Sequence, residues 1–431
     1  MNGLPNGTGH WADSLPPTWI MAPLWAVATC NDEVLPEATD PESRIRYVEI
    51  SDVDEVRGII GTTDVSFGYA PSRARRKVRE GDVILSTVRT YLRAVAAVDS
   101  DHAGLVVSTG FAVIRPRKLH AGYLKHVVSS GLFIEEVISR SVGVSYPAIN
   151  ATEVMKLKIP VPPLQEQCRI AAFLDYETAR IDELVHEQER LLQLLVEERA
   201  SIVSRAIFDG NESSAKARLG YFVDLLSGFA FPSERFSHDS TEIKLLRGAN
   251  VGVGAVRWDD VVFWRSDQLV GLERFLLEEG DTVLGMDRPW ISSGTRVAEV
   301  RSSDLPALLV QRVARMRARN GLSQRFLRFV LESIEFQASI EADLTGVSVP
   351  HISSEQILSF RIPIFSLAEQ ERRAATAEAR LLALESTSRE VAAMIALLQE
   401  RRSALIGAAV TGQLVLCDWR PSEPEAVAEV T

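Results

Sequence analysis

The chain has 431 residues, 24% of them charged, with 47 Lys+Arg against 58 Asp+Glu and a formal net charge of -11. The acidic total argues against a uniformly basic nucleic-acid binder, and no apolar run is long enough to span a membrane. Cys30, Cys168 and Cys417 are isolated, so they form neither a disulfide framework nor a metal-ligand spacing, and the N-terminus lacks the basic start and apolar core of a signal peptide; the expected location is the cytoplasm.

In chain order, residues 1–160 read as a globular α+β domain. Asp40–Gly61 is β-like. Ser72–Arg79 packs five cations into eight residues. Asp82–Val88 reads as a strand opened by a Gly-Asp turn, and Ser108–Ile114 as another. Gly122–Val137 has apolar residues three and four apart, which predicts a helix. A Gly-Val-Ser-x-Pro turn, a short helix and a strand ending at Pro160 follow. Residues 161–210 then form one long amphipathic helix, with no proline or glycine between Pro163 and Gly210. Its stripe runs through Ile181, Leu184, Gln188, Leu191, Leu195 and Ile202, widened by Val185 and Leu192. About 42 helical residues reach roughly 60 Å, too long to bury the stripe inside a small domain.

Residues 211–365 repeat the plan. Leu245–Val262 is β-like, Asp281–Leu284 and Leu308–Met316 read as strands, and Gln324–Ile340 as a helix. The turn returns, with a strand ending at Pro363. Residues 366–415 supply the second long helix, about Ala368–Val410. Ala377, Leu384, Val391, Leu398 and Leu405 recur every seven residues, with Leu381, Ile395 and Ala409 as companions and Ser388 and Arg402 as polar interruptions. Two seams of equal length are best satisfied by each other, and the intervening domain allows antiparallel packing. Residues 416–431, rich in proline and glutamate toward the end, read as a disordered tail.

The repeat is explicit. A shift of 203 residues aligns Gly143–Arg169 with Gly346–Arg372, identical at eleven positions. A shift of 199 pairs Gly81-Asp82 with Gly280-Asp281, Leu85 with Leu284 and Arg89 with Arg288. The drift between shifts is what loop insertions in diverged copies produce.

No P-loop, dinucleotide fingerprint or adenine-methyltransferase tetrapeptide appears. Asp239, Glu242 and Lys244 resemble a fragment of a nuclease carboxylate–lysine site, a pattern short enough to arise by chance. A chain that binds without catalysing is the better reading, with a coiled-coil scaffold as its alternative. The basic residues indicate what is bound. Arg73, Arg75, Arg76, Lys77 and Arg79, then Arg89, Tyr91 and Arg93, offer forks and rings to phosphates, sugars and bases. In the second half Arg288, Trp290 and Arg296 occupy the corresponding strand end. Arg312, Arg315, Arg317 and Arg319 read as one face of a strand. Basic residues at related places in duplicated domains fit a ligand of two-fold character such as duplex DNA.

The run Ile159-Pro-Val-Pro-Pro-Leu164, with Glu166-Gln167, Arg169-Ile170, Phe173-Leu174-Asp175 and Thr178-Ala-Arg-Ile-Asp182, resembles the specificity subunits of type I restriction–modification systems. The duplicated plan resembles them over the whole chain except the tail. The resemblance implies two target recognition domains separated by an antiparallel coiled-coil spacer, each reading half of a bipartite DNA site. It implies two modification subunits docked around Leu164, Glu166, Gln167, Ile170, Leu367, Glu369 and Gln370, and motor-nuclease subunits joining for cleavage. This chain would hold no cofactor of its own; S-adenosylmethionine, ATP and magnesium would sit on the partners. The second copy departs from the pattern, with Phe365-Ser366 for Pro162-Pro163 and Arg373 for Ile170.

Overall fold

The computed structural model describes residues 15–143, 146–209, 215–291, 294–341, 351–417 and 419–420. Two compact units form: Met1–Gln188 with Met394–Thr431, and Glu189–Ala393. Each takes half of each long helix.

In the first unit the longer strands before the helices are β1 (Ile20–Pro23), β2 (Ala28–Cys30), β3 (Arg44–Val48), β4 (Thr63–Ser66), β5 (Ala74–Lys77), β6 (Val83–Ser86), β7 (Val95–Ala97), β8 (Val106–Ser108) and β9 (Phe111–Pro116). Helices α1 (Ala121–Ser129), α2 (Gly131–Ser139) and α3 (Ala151–Lys156), strand β10 (Lys158–Val161) and the long α4 (Leu164–Phe208) follow. One sheet has the order β2-β9-β6-β7 and another β4-β3-β8-β5, while β1 pairs antiparallel with β10. Strand β6 is buried along its whole length, which is why it reads as an unbroken apolar run. Gly81 opens it with a φ of 84°, a left-handed turn that glycine adopts without steric cost.

The second unit repeats this with β11 (Lys216–Arg218), β12 (Val223–Ser227), β13 (Ile243–Leu246), β14 (Phe263–Trp264), β15 (Thr282–Gly285), β16 (Val297–Glu299), β17 (Ala307–Leu309) and β18 (Val313–Ala318). Then come α5 (Gln324–Glu332), α6 (Ile334–Glu341), α7 (Ser354–Ser359), β19 (Arg361–Pro363) and the long α8 (Leu367–Val410). The sheet β12-β18-β15-β16 matches β2-β9-β6-β7, and β14-β13-β17 matches β4-β3-β8. Strand β5, which carries most of the basic run 72–79, is an edge strand; at the matching edge of the second unit a single antiparallel bridge, Leu276 to Leu308, takes its place.

Three expectations change. Ser108–Ile114 and Leu308–Met316 are not single strands. Each is two strands in different sheets; in the second copy Arg312, with a φ of 69°, lies in the bend between them. The breaks fall at Thr109-Gly110 and Gln311-Arg312, between stretches that are buried on both sides. Gly122–Val137 and Gln324–Ile340 are helix pairs. Ser130 and Ser333 leave the helix and accept the amide hydrogens of Phe133 and Phe336, while their hydroxyls donate to the carbonyls of Val127 and Val330. The expected disordered stretch starts too early: Leu416 and Trp419 pack on the first unit's core, with the Trp419 ring edge-on to Phe173 at 5.4 Å. Residues 421–431 lie outside the described residues, as does Gly346–Pro350, the second copy of the turn.

The long helices run antiparallel within each unit. In the first, Asp182 of α4 pairs with Arg402 of α8 at 2.8 Å, and Ile170 and Leu174 share a core with Ile406, Ala409 and Val410. In the second, Ile202, Val203 and Ile207 share a core with Ala374, Ala377 and Leu381, and the Arg373 guanidinium donates to the Ala206 and Asp209 carbonyls. Arg402 is thus a paired cation on the seam. Leu184 and Leu191, placed in the stripe by spacing, are instead exposed.

His126 of α1 is buried, with Nε2 2.8 Å from Asp175 of α4; its equivalent in the second unit is Phe329. Burial lowers the His126 pKa from its ordinary 6.5, outweighing the raising effect of the Asp175 hydrogen bond. As pH falls, the unfolded chain takes this proton first. The resulting stability is therefore complete above about pH 6.5 and drains away below it. Burial pushes the Asp175 pKa up, but its bonds to His126 and Lys125 leave it lowered, so that contribution is lost only at more acidic pH. His126→Phe is expected to reduce the fall in Tm between about pH 7.5 and about pH 5.5. Thermal melts of both proteins check this; an unchanged fall would refute it.

Candidate nucleic-acid interface

Most of the basic residues singled out by sequence are already engaged. Arg73 pairs with Glu49, Arg79 with Glu33 at 2.5 Å and Arg93 with Glu55 at 3.2 Å. The Arg75 guanidinium sits 4.5 Å from the centre of the Phe67 ring. Arg76 is half-buried, its Nη1 has no hydrogen-bond partner among the described residues, and burial lowers its pKa. Lys77 and Tyr91 are exposed, and Lys77 has no ion pair among the described residues.

In the second unit two expectations fail. Arg315 is 6% exposed and pairs with Asp224 at 2.8 Å. Arg317 makes a forked pair with the buried Asp281, as Arg115 does with Asp82 in the first unit. These arginines neutralise carboxylates inside or across a sheet and do not form a free face. The alternation also breaks at both ends, since Arg312 and Arg319 lie outside β18. Trp290 packs partly buried on the second core. Arg296 is a brace: its Nε donates to the Val251 carbonyl at 3.0 Å and its Nη1 to those of Asp287 and Arg288 at 3.0 and 3.4 Å. Burial lowers its pKa as well.

What the units share is a turn beyond the central strand. Arg89 follows β6 and Arg288 follows β15; both are exposed, and both sit in left-handed backbone, with φ of 51° and 45°. A non-glycine residue there costs of order 1–3 kcal/mol, and the surrounding structure must hold it. In the first unit the Arg89 amide donates to the Pro147 carbonyl at 2.8 Å, Val88 bridges Ala148, and the guanidinium stacks 4.7 Å from the Tyr146 ring. In the second, Asp287 bridges His351 and the Ile352 amide donates to the Met286 carbonyl. One task of the repeated turn sequence is therefore to fix this arginine in the first unit.

Beside Arg288 a cleft of about 610 Å³ is lined by Arg247, Arg296, Arg312, Phe231 and Gln311 among others. Asp287 is its one acidic lining residue, held by His351 at 2.6 Å and Arg312 at 3.4 Å. Sequence reasoning missed Tyr146 and Arg247. Tyr146 was legible as the variable position inside the repeated turn; for Arg247 no signal was available.

The docking residues divide. Leu164 and Leu367 are exposed. Glu166 accepts from the Trp19 indole at 3.0 Å. Glu369 accepts from Arg372 and Arg373, which hold its pKa down at about 2. Ile170 is buried in the first core, and Gln167 and Gln370 are 2% and 5% exposed, so none of these three offers a side chain to a partner. The nuclease-like fragment does not assemble either. Asp239 accepts from Thr241, Glu242 from the Ser266 amide and hydroxyl, and Lys244 donates to the Ser303 carbonyl. No cluster that could hold a metal occurs among the described residues.

A domain built twice presents from each copy an exposed arginine, Arg89 or Arg288, without an ion pair among the described residues, in a left-handed turn beyond its central strand. Residues 59–193 match the type I restriction modification DNA specificity domain. A type I restriction enzyme specificity subunit of Escherichia coli, EcoAI, is 40% identical over 156 residues, covering 36% of this chain and 26% of that protein. The MjaVIII specificity subunit of Methanocaldococcus jannaschii is 28% identical over 252 residues, 55% of this chain and 58% of that one. The matches therefore span about a quarter and under three-fifths of these relatives' lengths. A chain from a solved type I R-M system is alike in fold, with a TM-score of 0.76 at 24% identity over 93% of this chain and 100% of that one. Residues 59–193 thus carry a type I restriction modification DNA specificity domain, and the chain is similar to type I specificity subunits.

Proposed function

We propose that this chain is the sequence-reading, non-catalytic subunit of a type I restriction–modification complex. Each unit reads one half of a bipartite duplex DNA site, and the paired helices set the unread gap. The observation that carries the reading is the arginine turn built twice at equivalent strand ends; kinship with specificity subunits supplies the ligand. Lys77, Tyr91 and the unpaired donor of Arg76 add backbone contacts in the first half, and in the second Arg247 and Arg312 do so from ion pairs with Asp260 and Asp287. Two modification subunits carrying S-adenosylmethionine dock on the helices, where Leu164, Leu184, Leu367 and Leu397 are exposed apolar side chains. Motor-nuclease subunits using ATP and magnesium complete the complex in the cytoplasm. Selection of a randomised duplex library by the chain with its modification subunits is expected to enrich a split motif. A contiguous motif, or none, would refute the reading.

A further inference from the structure

We propose that Arg89 and Arg288 each read a guanine, one in each half-site, and so fix one base of specificity per unit. This rests on the DNA-reading function proposed above. A guanine presents two acceptors, O6 and N7, side by side in the major groove, and the two parallel N–H groups of a guanidinium match them. Adenine calls for Asn or Gln, and cytosine for a carboxylate.

Several features separate these two arginines from the other cations. Arg73, Arg79, Arg93, Arg315 and Arg317 are neutralised by carboxylates. Arg89 and Arg288 are exposed and have no ion pair among the described residues. A phosphate contact asks only for a mobile charge, which Lys77 on its edge strand provides as well. Reading a base edge asks for a planar fork held in one place. Left-handed backbone is a costly way to place a residue with a Cβ, and the fold adopts it at the same strand end in both units; Arg93 and Arg312 share it but are paired with Glu55 and Asp287. The supports are also specific. The Tyr146 ring lies against the Arg89 guanidinium, which leaves the in-plane N–H groups free. In the second unit Arg296 spends two of its donors on the carbonyls of Asp287 and Arg288, clamping the turn from behind.

The supports differ while the arginine is shared. The two units therefore have a guanine position in common and differ in the bases around it. The cleft beside Arg288, with Arg247, Gln311 and Arg312, supplies the neighbouring contacts in the second unit.

The test compares wild type with Arg89→Lys, Arg89→Gly, Arg288→Lys and Arg288→Gly as full-length chains with the modification subunits, each selected on randomised duplex DNA at low salt and read by sequencing. Lysine keeps the charge and loses the fork. Glycine suits the left-handed backbone, so those variants fold. Wild type is expected to enrich a guanine at one position in each half. The Arg288 variants lose that preference by roughly ten- to hundredfold in one half only, and the Arg89 variants in the other only. If the lysine variants keep the same base preferences and change only overall affinity, the two arginines are phosphate contacts and the inference falls, with DNA reading intact. If wild type enriches no split sequence, the proposed function falls, and this inference with it.

Discussion

Replacing Asp82 with alanine is expected to destabilise the first unit by about 3–5 kcal/mol, the range for stranding one member of a buried ion pair. Asp82 is 1% exposed and precedes the central strand β6. Its carboxylate accepts from Arg115 Nε at 2.8 Å and Nη2 at 2.7 Å, and from the Arg79 amide at 2.8 Å. Removing it leaves the enclosed Arg115 with Glu33 as its nearest carboxylate, and uncaps the turn that starts β6. Asp281→Ala in the second unit is expected to cost less, because Arg317 is more exposed than Arg115; both arginines keep a second carboxylate, Glu278 at 3.0 Å and Glu33 at 2.7 Å. Peptide-resolved hydrogen exchange on the full chain separates the two: Asp82→Ala deprotects β6 and β9 first. A loss below about 1 kcal/mol, or equal deprotection of both units, would show that the pair does not hold the sheet. Adding Arg115→Met is expected to recover part of the loss, since the cost lies mostly in the stranded charge.

The same ion pairs show what the sequence discloses. Gly81-Asp82 and Gly280-Asp281 stand out as a repeated pair, and the turn they open is there. Their arginine partners lie across the sheet, 33 and 36 residues away, and no local pattern connects them. Arg317 therefore looks like a ligand contact when it is a counter-ion. The two long helices are legible because their period persists through many turns without a breaker. Strand ends are less so: Leu308–Met316 passes through a change of sheet at Gln311-Arg312, and because both flanking strands are buried the two read as one although the polar pair marks the bend. Position alone singled out Arg89 and Arg288. Left-handed backbone together with exposure and the lack of an ion pair among the described residues sets them apart from the surrounding cations, and it depends on contacts with the Tyr146–Ile149 turn and with Arg296, which are tertiary.

Gln370→Ala is expected to lower stability by about 2–4 kcal/mol, and Gln167→Ala by about 1–3 kcal/mol, from the buried polar groups each leaves unpaired. Gln370 Oε1 accepts from the Ser323 amide at 2.8 Å, and its Nε2 donates to the carbonyls of Gly321 and Phe365, each at 3.0 Å. Gln167 accepts from the His120 amide and donates to the Pro162 carbonyl, both at 2.8 Å. In each unit the glutamine ties the start of a long helix to the residue that caps α1 or α5. That accounts for the repeated glutamine by folding alone. Replacement by glutamate is expected to be no milder, because it removes the donor facing a carbonyl and introduces charge into a closed site. A docking role predicts the reverse pattern: unchanged stability and weaker assembly. Leu164→Asp and Leu367→Asp provide that control, since both leucines are exposed and their replacement should move stability by no more than about 0.5 kcal/mol. Urea unfolding of the four variants, beside their co-purification with modification subunits, separates the roles. Should the glutamine variants unfold like wild type, the clamp is not structural; should the leucine variants assemble normally, the helix entrances are not where the partners sit.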